Sequence, residues 1–179
     1  MRARSVPAMV LLARRFRRDR RGVAAIEFAM LALPLFMAIF IILECAIQYF
    51  VWTSVDLAVQ RTARQVRTGE VQKQSLDAAE FKSAVCQQIS NIFGCPSRLM
   101  LKVDVLKNIK SAVTHDPITG AGALQVQETY DIGKSGDILL VQAFFRWPAF
   151  TQLVTTGGRK TNAGDYVLQS TTLFRNEPF

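Results

Sequence analysis

The chain has 179 residues, enough for one domain of moderate size with appendages, and half of its residues are apolar. Its formal net charge is +8, but residues 1–22 alone carry eight Arg and one Asp, a net charge of +7. Residues 23–179 hold 14 basic and 13 acidic side chains and are almost neutral. The basic pI of about 9.9 therefore describes the N-terminal segment, and a uniformly basic domain is excluded.

The eight Arg of this segment end where a long apolar run begins. A basic tail can bind nucleic acid through the phosphates. It can also orient a membrane span, because Arg and Lys beside a span stay in the cytoplasm. Since the Arg cluster adjoins the apolar run, we favour orientation and expect no nucleic-acid partner.

Residues 28–43 of the apolar run contain no charged or strongly polar side chain. A membrane-spanning helix needs about 20 apolar residues, and residues 26–47 supply that length. Tyr49 and Trp52 follow where interfacial aromatic residues belong. The sequence predicts a single span over residues 23–52, with the N-terminus in the cytoplasm.

Two other interpretations of the run are a buried core helix and a cleavable secretory signal. The Arg cluster before it and the aromatic residues after it disfavour a core helix. Signal cleavage needs small residues at the −3 and −1 positions soon after the apolar stretch. The residues after Leu43 offer no such site, so we expect the span to be retained. Pro34 is tolerated in membrane helices and predicts a bend.

Two carboxylates lie near the ends of the predicted span. A carboxylate inside a bilayer costs about 2.5–3.5 kcal/mol, so Glu27 is a functional candidate. Alternatively, Glu27 reaches back to the cytoplasmic headgroups and has no special role. Glu44, at the outer end, is either exposed at the interface or makes a second contact between subunits.

A basic leader, a glycine, an apolar helix and a glutamate five residues past the glycine resemble the processing site of type IV prepilins and pseudopilins. The glycine is Gly22, Val23 is the +1 residue and Glu27 is the +5 residue. Phe28, at +6, departs from the Tyr that many small pilins carry. The resemblance implies that a membrane aspartyl peptidase, the prepilin peptidase, cuts between Gly22 and Val23. It also implies that Glu27 and Phe28 help subunits dock in the membrane.

The longer stretch from Gly22 to Thr68 resembles the TadE family of the tight-adherence (Tad, or Flp) pilus system. The resemblance lies in the Glu27-Phe28 opening, the LPLF turn at residues 33–36 and Glu44 near the end of the span. It is diffuse over residues 69–179, although the final FRNEPF also resembles the end of some members. TadF and TadG proteins share the opening, so the subtype stays open. The family implies a non-enzymatic component of pilus assembly or secretion, with minor pilins and other Tad components as partners.

Beyond the span, helical spacing predicts that the first helix continues to Thr68 and stops at Gly69. A second helix is predicted over residues 77–93, because Asp77 and Glu80 have the spacing of a capping box.

The rest of the chain is predicted to form strands near residues 99–105, 123–130, 138–147 and 165–175. The expected fold is α+β: a long transmembrane helix that leads into a small pilin-like domain with an antiparallel sheet of about four strands. The domains expected are a basic leader at 1–22, the span at 23–52 and an extracytoplasmic domain at 53–179.

Cys86 and Cys95 lie nine positions apart, on the predicted second helix and just after it. In an oxidising periplasm they would form a disulfide that ties this helix to the first strand. Two separate buried thiols are the alternative, and no His or further Cys stands nearby to make a metal site. Cys45 is interpreted as a small apolar residue within the span.

The sequence contains no G-x-S-x-G, H-E-x-x-H or phosphate-binding glycine loop, and its one histidine, His115, lies in a predicted loop. We therefore expect no catalysis, cofactor or small-molecule substrate. Two other classes stay open. One is an unprocessed single-pass sensor or binding module, and the other is an anchored periplasmic enzyme.

Overall fold

The structure is a computed structural model, and it describes residues 22–89, 94–109, 112, 117–148 and 159–179. The chain divides into two compact units, with the division after Ile42. The second unit contains a mixed sheet and, among the described residues, the whole of the buried core. The predicted α+β class is confirmed.

Helix α1 spans Val23–Arg67 and passes through Pro34 without a break. It is the one helix in the described part of the chain that is long and apolar enough to cross a membrane. Its end agrees with the predicted stop at Gly69. That glycine has a positive φ of 78°, and its N–H donates to the Val66 carbonyl at 3.1 Å. Glycine enters this left-handed conformation without the steric cost that other residues incur.

Within the described ranges three shorter helices follow: α2 at Glu70–Gln74, α3 at Ala78–Ile89 and α4 at Cys95–Arg98. The predicted capping box before α3 is confirmed. The Asp77 N–H donates to the Glu80 carboxylate at 2.9 Å, and the Glu80 N–H donates to the Asp77 carboxylate at 2.8 Å. The predicted end of this helix, residues 90–93, lies outside the described residues.

The sheet has five strands in the order β2-β1-β3-β5-β4. The long strands are β1 at Leu99–Leu106, β3 at Ile138–Pro148 and β5 at Asp165–Arg175, and they pair antiparallel as predicted. The short edge strands are β2 at Thr129–Tyr130 and β4 at Arg159–Lys160.

Two details of the predicted sheet were wrong. Strand β2 runs parallel to β1, so the sheet is not wholly antiparallel. The connection over residues 107–128 is long enough to bring the chain back to the start of β1, which a parallel pair requires. The strand predicted over 123–130 is also shorter, because only its last two residues pair with β1. Leu124 instead forms an isolated bridge with Ile118.

The core lies between α1, α3 and one face of the sheet. Alternating residues of β3 face the helices, as the two-residue period of a strand requires. They are Leu139, Val141, Ala143, Phe145 and Trp147. The C-terminal part of α1 contributes apolar residues at three- and four-residue spacing, namely Val51, Val55, Ala58, Val59 and Val66.

Candidate functional site

The predicted processing site lies where helix α1 begins. Gly22 is exposed, and among the described residues no atom beyond its own chain neighbours lies within 4 Å of the position where its Cβ would stand. Val23, the first residue of the helix, is 47% exposed.

Glu27 lies one helical turn after Val23, so both residues share one face of α1. Glu27 is exposed, and it has no ion-pair partner among the residues that the structure describes. The neighbouring Phe28 is 71% exposed. The carboxylate and the aromatic ring are thus both exposed, but as consecutive helical residues they point about 100° apart, so a second helix that contacts both must pack between their two directions.

The surface around this pair is apolar on every side of the helix. None of the most hydrophobic 18-residue stretch of α1 is buried inside the structure. Large exposed side chains cover it, including Met30, Leu31, Leu33, Leu35, Phe36, Phe40 and Ile42. A helix that is apolar all round needs a nonpolar environment, supplied either by lipid or by other helices.

Glu44, the second predicted docking residue, has a different environment. It belongs to the second unit and is only 4% exposed. Gln48, one turn later, is 7% exposed, so two polar side chains at four-residue spacing are buried on the same side of α1. Gln48 was not among the residues predicted from the sequence, although its four-residue spacing from Glu44 was the signal that could have identified it.

Cys86 and Cys95 form a disulfide in the structure, with their Cα atoms 5.5 Å apart. Cys86 lies on α3, and Cys95 begins α4, which leads directly into β1. Both cysteines are buried, whereas Cys45 is a free thiol. The bond links the second predicted helix to the sheet.

Possible metal ligands, the histidine and a buried tyrosine are the groups that could support metal binding or catalysis. Within the described ranges, no three His, Cys, Asp or Glu residues lie close enough to hold a metal ion. His115 lies outside the described residues. Burial raises the pKa of Tyr130 above its usual 10.0, with smaller contributions from the charges of Asp77 and Glu80. Its hydroxyl donates to the Leu76 carbonyl at 2.8 Å, which is a structural contact.

Comparison with known proteins bears on the first helix and the glycine before it. Residues 22–64 match the family described as TadE-like protein. No curated protein and no solved structure matches the chain. The match begins at the glycine before α1, includes Glu27, Phe28 and Glu44, and ends just before the last turn of that helix. Over residues 22–64 the chain is thus similar to TadE-like proteins, which confirms the resemblance predicted from its sequence.

Proposed function

We propose that this chain is a non-enzymatic, pseudopilin-like component of the Tad pilus assembly machinery. The observation that carries the proposal is the TadE-like match over residues 22–64, since these residues include the glycine, the glutamate and the exposed apolar helix. Residues 23–52 anchor it in the bacterial inner membrane, with the leader in the cytoplasm and residues 53–179 in the periplasm. The eight Arg before the helix support this orientation.

The first step in its maturation is hydrolysis of the peptide bond between Gly22 and Val23 by a prepilin peptidase. Water adds across the bond and leaves a carboxylate on Gly22 and an α-ammonium group on Val23. The leader carries away its net charge of +7, so the mature chain keeps only the single new positive charge at its start. A helix without its Arg cluster can move out of the membrane more easily, because those charges hold it to the cytoplasmic face.

The second step is docking within the membrane. An ionised Glu27 in hydrocarbon is unfavourable, and so is a lone α-ammonium group. An ion pair between Glu27 of one subunit and the Val23 ammonium of another relieves both costs at once. Phe28, exposed beside Glu27, supplies apolar contact area at the same place. The partners at this surface are minor pilins and other Tad components.

Glu44 is the weaker docking candidate. A contact between subunits needs an accessible carboxylate, and Glu44 is covered by its own chain. Its intersubunit role stays a prediction. We base the docking surface on Glu27 and Phe28.

The decisive experiment is N-terminal sequencing of the protein from membranes of strains with and without the prepilin peptidase. We expect the mature chain to begin at Val23 only when the peptidase is present. A chain that keeps its leader in both strains would contradict the processing step. It would favour the alternative of an unprocessed, signal-anchored sensor or binding module.

Glu27→Gln separates docking from processing, because it removes the charge and keeps the size of the side chain. We expect this variant to be processed normally while the amount of surface pili falls by more than about tenfold, since one partner of a buried ion pair is lost. Met30→Leu, an apolar change at an exposed position of the same helix, is the matched control and should leave both readouts unchanged. Normal piliation in Glu27→Gln would rule out the docking role.

A further inference from the structure

Strand β5 runs beside helix α1, in the same direction, within the second unit. The Trp52 indole donates to the Gln169 carbonyl, near the start of β5, at 3.0 Å. Further along both elements, the Glu177 N–H donates to the Arg67 carbonyl at 2.9 Å. Residue numbers therefore rise together in α1 and β5, and β5 begins at the end of the unit where α1 enters it.

The start of β5 is level, along the axis of α1, with the first residue of the second unit. Asp165 begins β5 and precedes Gln169 by four residues, which is about 14 Å at 3.4 Å per strand residue. The same distance is about nine residues of helix at 1.5 Å each, counted back from Trp52 to Leu43. The second unit begins at Leu43. We call this end of the sheet the entry end, and it comprises residues 98–99, 145–148, 160 and 165–168.

Two arginines lie at the entry end. Arg146 is exposed, it pairs with Val167 in the sheet, and its Nη2 donates to the Ser97 carbonyl at 3.2 Å. Arg98 is the last residue of α4 and directly precedes β1. Neither arginine has an ion-pair partner among the described residues. Both positive charges are therefore available to a group outside the chain.

The other described charges at this level leave the balance positive. Lys160 pairs with Tyr166 in the sheet, and its ammonium lies 4.9 Å from the centre of that ring. Two carboxylates are present, on Asp165 and Glu44, and Glu44 is buried at 4% exposure. Three cationic side chains thus stand against one accessible carboxylate.

This positive balance does not depend on where the undescribed residues lie. Residues 90–93 and 149–158 contain no charged side chain. Residues 110–111 and 113–116 contain one Lys and one Asp, at positions 110 and 116. Even if Asp116 lay at the entry end, positive charge would remain in excess there.

The length of α1 before the second unit matches the thickness of a bilayer. The 20 residues from 23 to 42 extend over about 30 Å, which equals the hydrocarbon core, and the headgroup region adds about 5–7 Å on each side. Val167, the partner of Arg146, lies only two strand residues, or about 7 Å, beyond the level of Leu43. The entry end is therefore at headgroup depth when residues 23–42 fill the hydrocarbon.

We propose that the entry end binds anionic phospholipids of the periplasmic leaflet, and that Arg98 and Arg146 contact the lipid phosphates. A guanidinium group can donate two parallel hydrogen bonds to phosphate oxygens, and basic side chains near an anionic surface are attracted to it. These contacts hold the domain against the membrane before the subunit is assembled. The proposal rests on the membrane anchor of the proposed function, with residues 43–52 beyond the hydrocarbon. It does not depend on leader cleavage or on Glu27.

The test measures which lipids surround the turn between β4 and β5. Ala163, exposed in that turn, is replaced by cysteine to carry a fluorophore, and Cys45→Ala removes the free thiol. The full-length protein is placed in nanodiscs of phosphatidylcholine and phosphatidylglycerol, with a trace of one lipid bearing a nitroxide on its acyl chain. We expect labelled phosphatidylglycerol to quench the fluorophore about twofold more than labelled phosphatidylcholine, because anionic lipid gathers around basic side chains.

Paired variants locate the site, and all of them keep the leader, so its eight Arg contribute equally. Arg98→Gln with Arg146→Gln should make the two lipids quench equally. Arg98→Lys with Arg146→Lys retains both charges and should keep most of the preference. Arg61→Gln with Arg64→Gln makes the same charge change at exposed positions of α1, about 27 Å or more beyond Leu43, and should have no effect.

Three results would overturn the proposal. Equal quenching by the two lipids in protein that keeps both arginines would exclude selective binding while leaving the membrane anchor intact, and it is independent of how any arginine variant folds. A preference that persists in Arg98→Gln with Arg146→Gln would place the binding elsewhere. Absence of quenching by either lipid would contradict both this proposal and the anchor of the proposed function.

Discussion

Gly69 shows how one residue joins the end of α1 to the end of the chain. Its φ of 78° is in the left-handed region, and the ring of Phe179 occupies the space where a Cβ would stand. Nearby, Arg67 pairs with Glu177, and the Glu177 N–H donates to the Arg67 carbonyl at 2.9 Å. The last residues of the chain therefore fix the turn that ends α1.

Gly69→Ala should lower the free energy of unfolding for two reasons. An alanine in the left-handed region costs about 1–2 kcal/mol, and displacement of Phe179 adds on the order of 1 kcal/mol more. Gly164→Ala is the matched control, because Gly164 has a φ of 86° and no atom within 4 Å of its Cβ position. Denaturant unfolding of the full chain in detergent micelles measures both. Equal losses in the two variants would show that Phe179 moves aside without cost.

The raised pKa of Tyr130 predicts that the protein loses stability at alkaline pH. Its raised pKa means that the folded protein holds the phenol proton more tightly than the unfolded chain does. The resulting stability is fully present below the unfolded pKa of about 10 and is lost as pH rises through the higher folded pKa. Tyr130→Phe should therefore weaken the alkaline decline in unfolding free energy.

The same variant should cost about 1 kcal/mol at neutral pH, because the hydrogen bond to the Leu76 carbonyl is removed. Tyr49→Phe is the control, since Tyr49 is 65% exposed and should change neither quantity. Unfolding measured at several pH values distinguishes the two variants. An identical alkaline decline in the wild type and Tyr130→Phe would contradict the assignment.

At the scale of elements, α3 and α4 depend on their link to each other. The Cys86–Cys95 bond closes a loop of about ten residues, for which a contribution of about 2–3 kcal/mol is expected. The double change Cys86→Ala and Cys95→Ala should lower the unfolding free energy by that amount under oxidising conditions. Cys45→Ala, at the free thiol, should leave the contribution of the disulfide intact. Two reactive thiols at Cys86 and Cys95 in protein isolated from membranes without reducing agent would show that the bond does not form.

Helix α1 contains two kinds of surface within one element. Up to Ile42 its side chains are mostly exposed and apolar, and from Val51 onward one side belongs to the core that α1 shares with the sheet and α3. The sequence predicted the continuous helix because apolar residues recur at helical spacing after the span. It placed the domain boundary at residue 53 from the interfacial aromatics, whereas the second compact unit begins at Leu43.

At the scale of the whole molecule, the two boundaries, residue 53 from the sequence and Leu43 from the structure, predict different stabilities for two fragments. Fragment 43–179 retains Glu44, Gln48 and Val51, all buried in the second unit, and fragment 53–179 lacks them. We expect the longer fragment to be more stable by at least about 1.5–3 kcal/mol, the value of burying a single valine-sized side chain. Denaturant unfolding of both fragments in the same mild detergent measures the difference. Equal stability would place the folding boundary at residue 53.

The distribution of charge over the whole chain was evident from the sequence, because a net charge of +7 in residues 1–22 needs no folded structure to be recognised. The same holds for the apolar run, the Gly22–Glu27 spacing and the capping box at Asp77. These are local patterns, and each depends on residues within a few turns of each other. They were sufficient to predict the TadE-like resemblance and the α+β class.

Only the tertiary structure decided the features that depend on residues far apart in the chain. Among these are the burial of Glu44, the parallel pairing of β2 with β1 and the contact of Phe179 with Gly69. Strand order and burial depend on which surfaces pack together across long loops. A sequence pattern with a short period does not determine which surfaces those are.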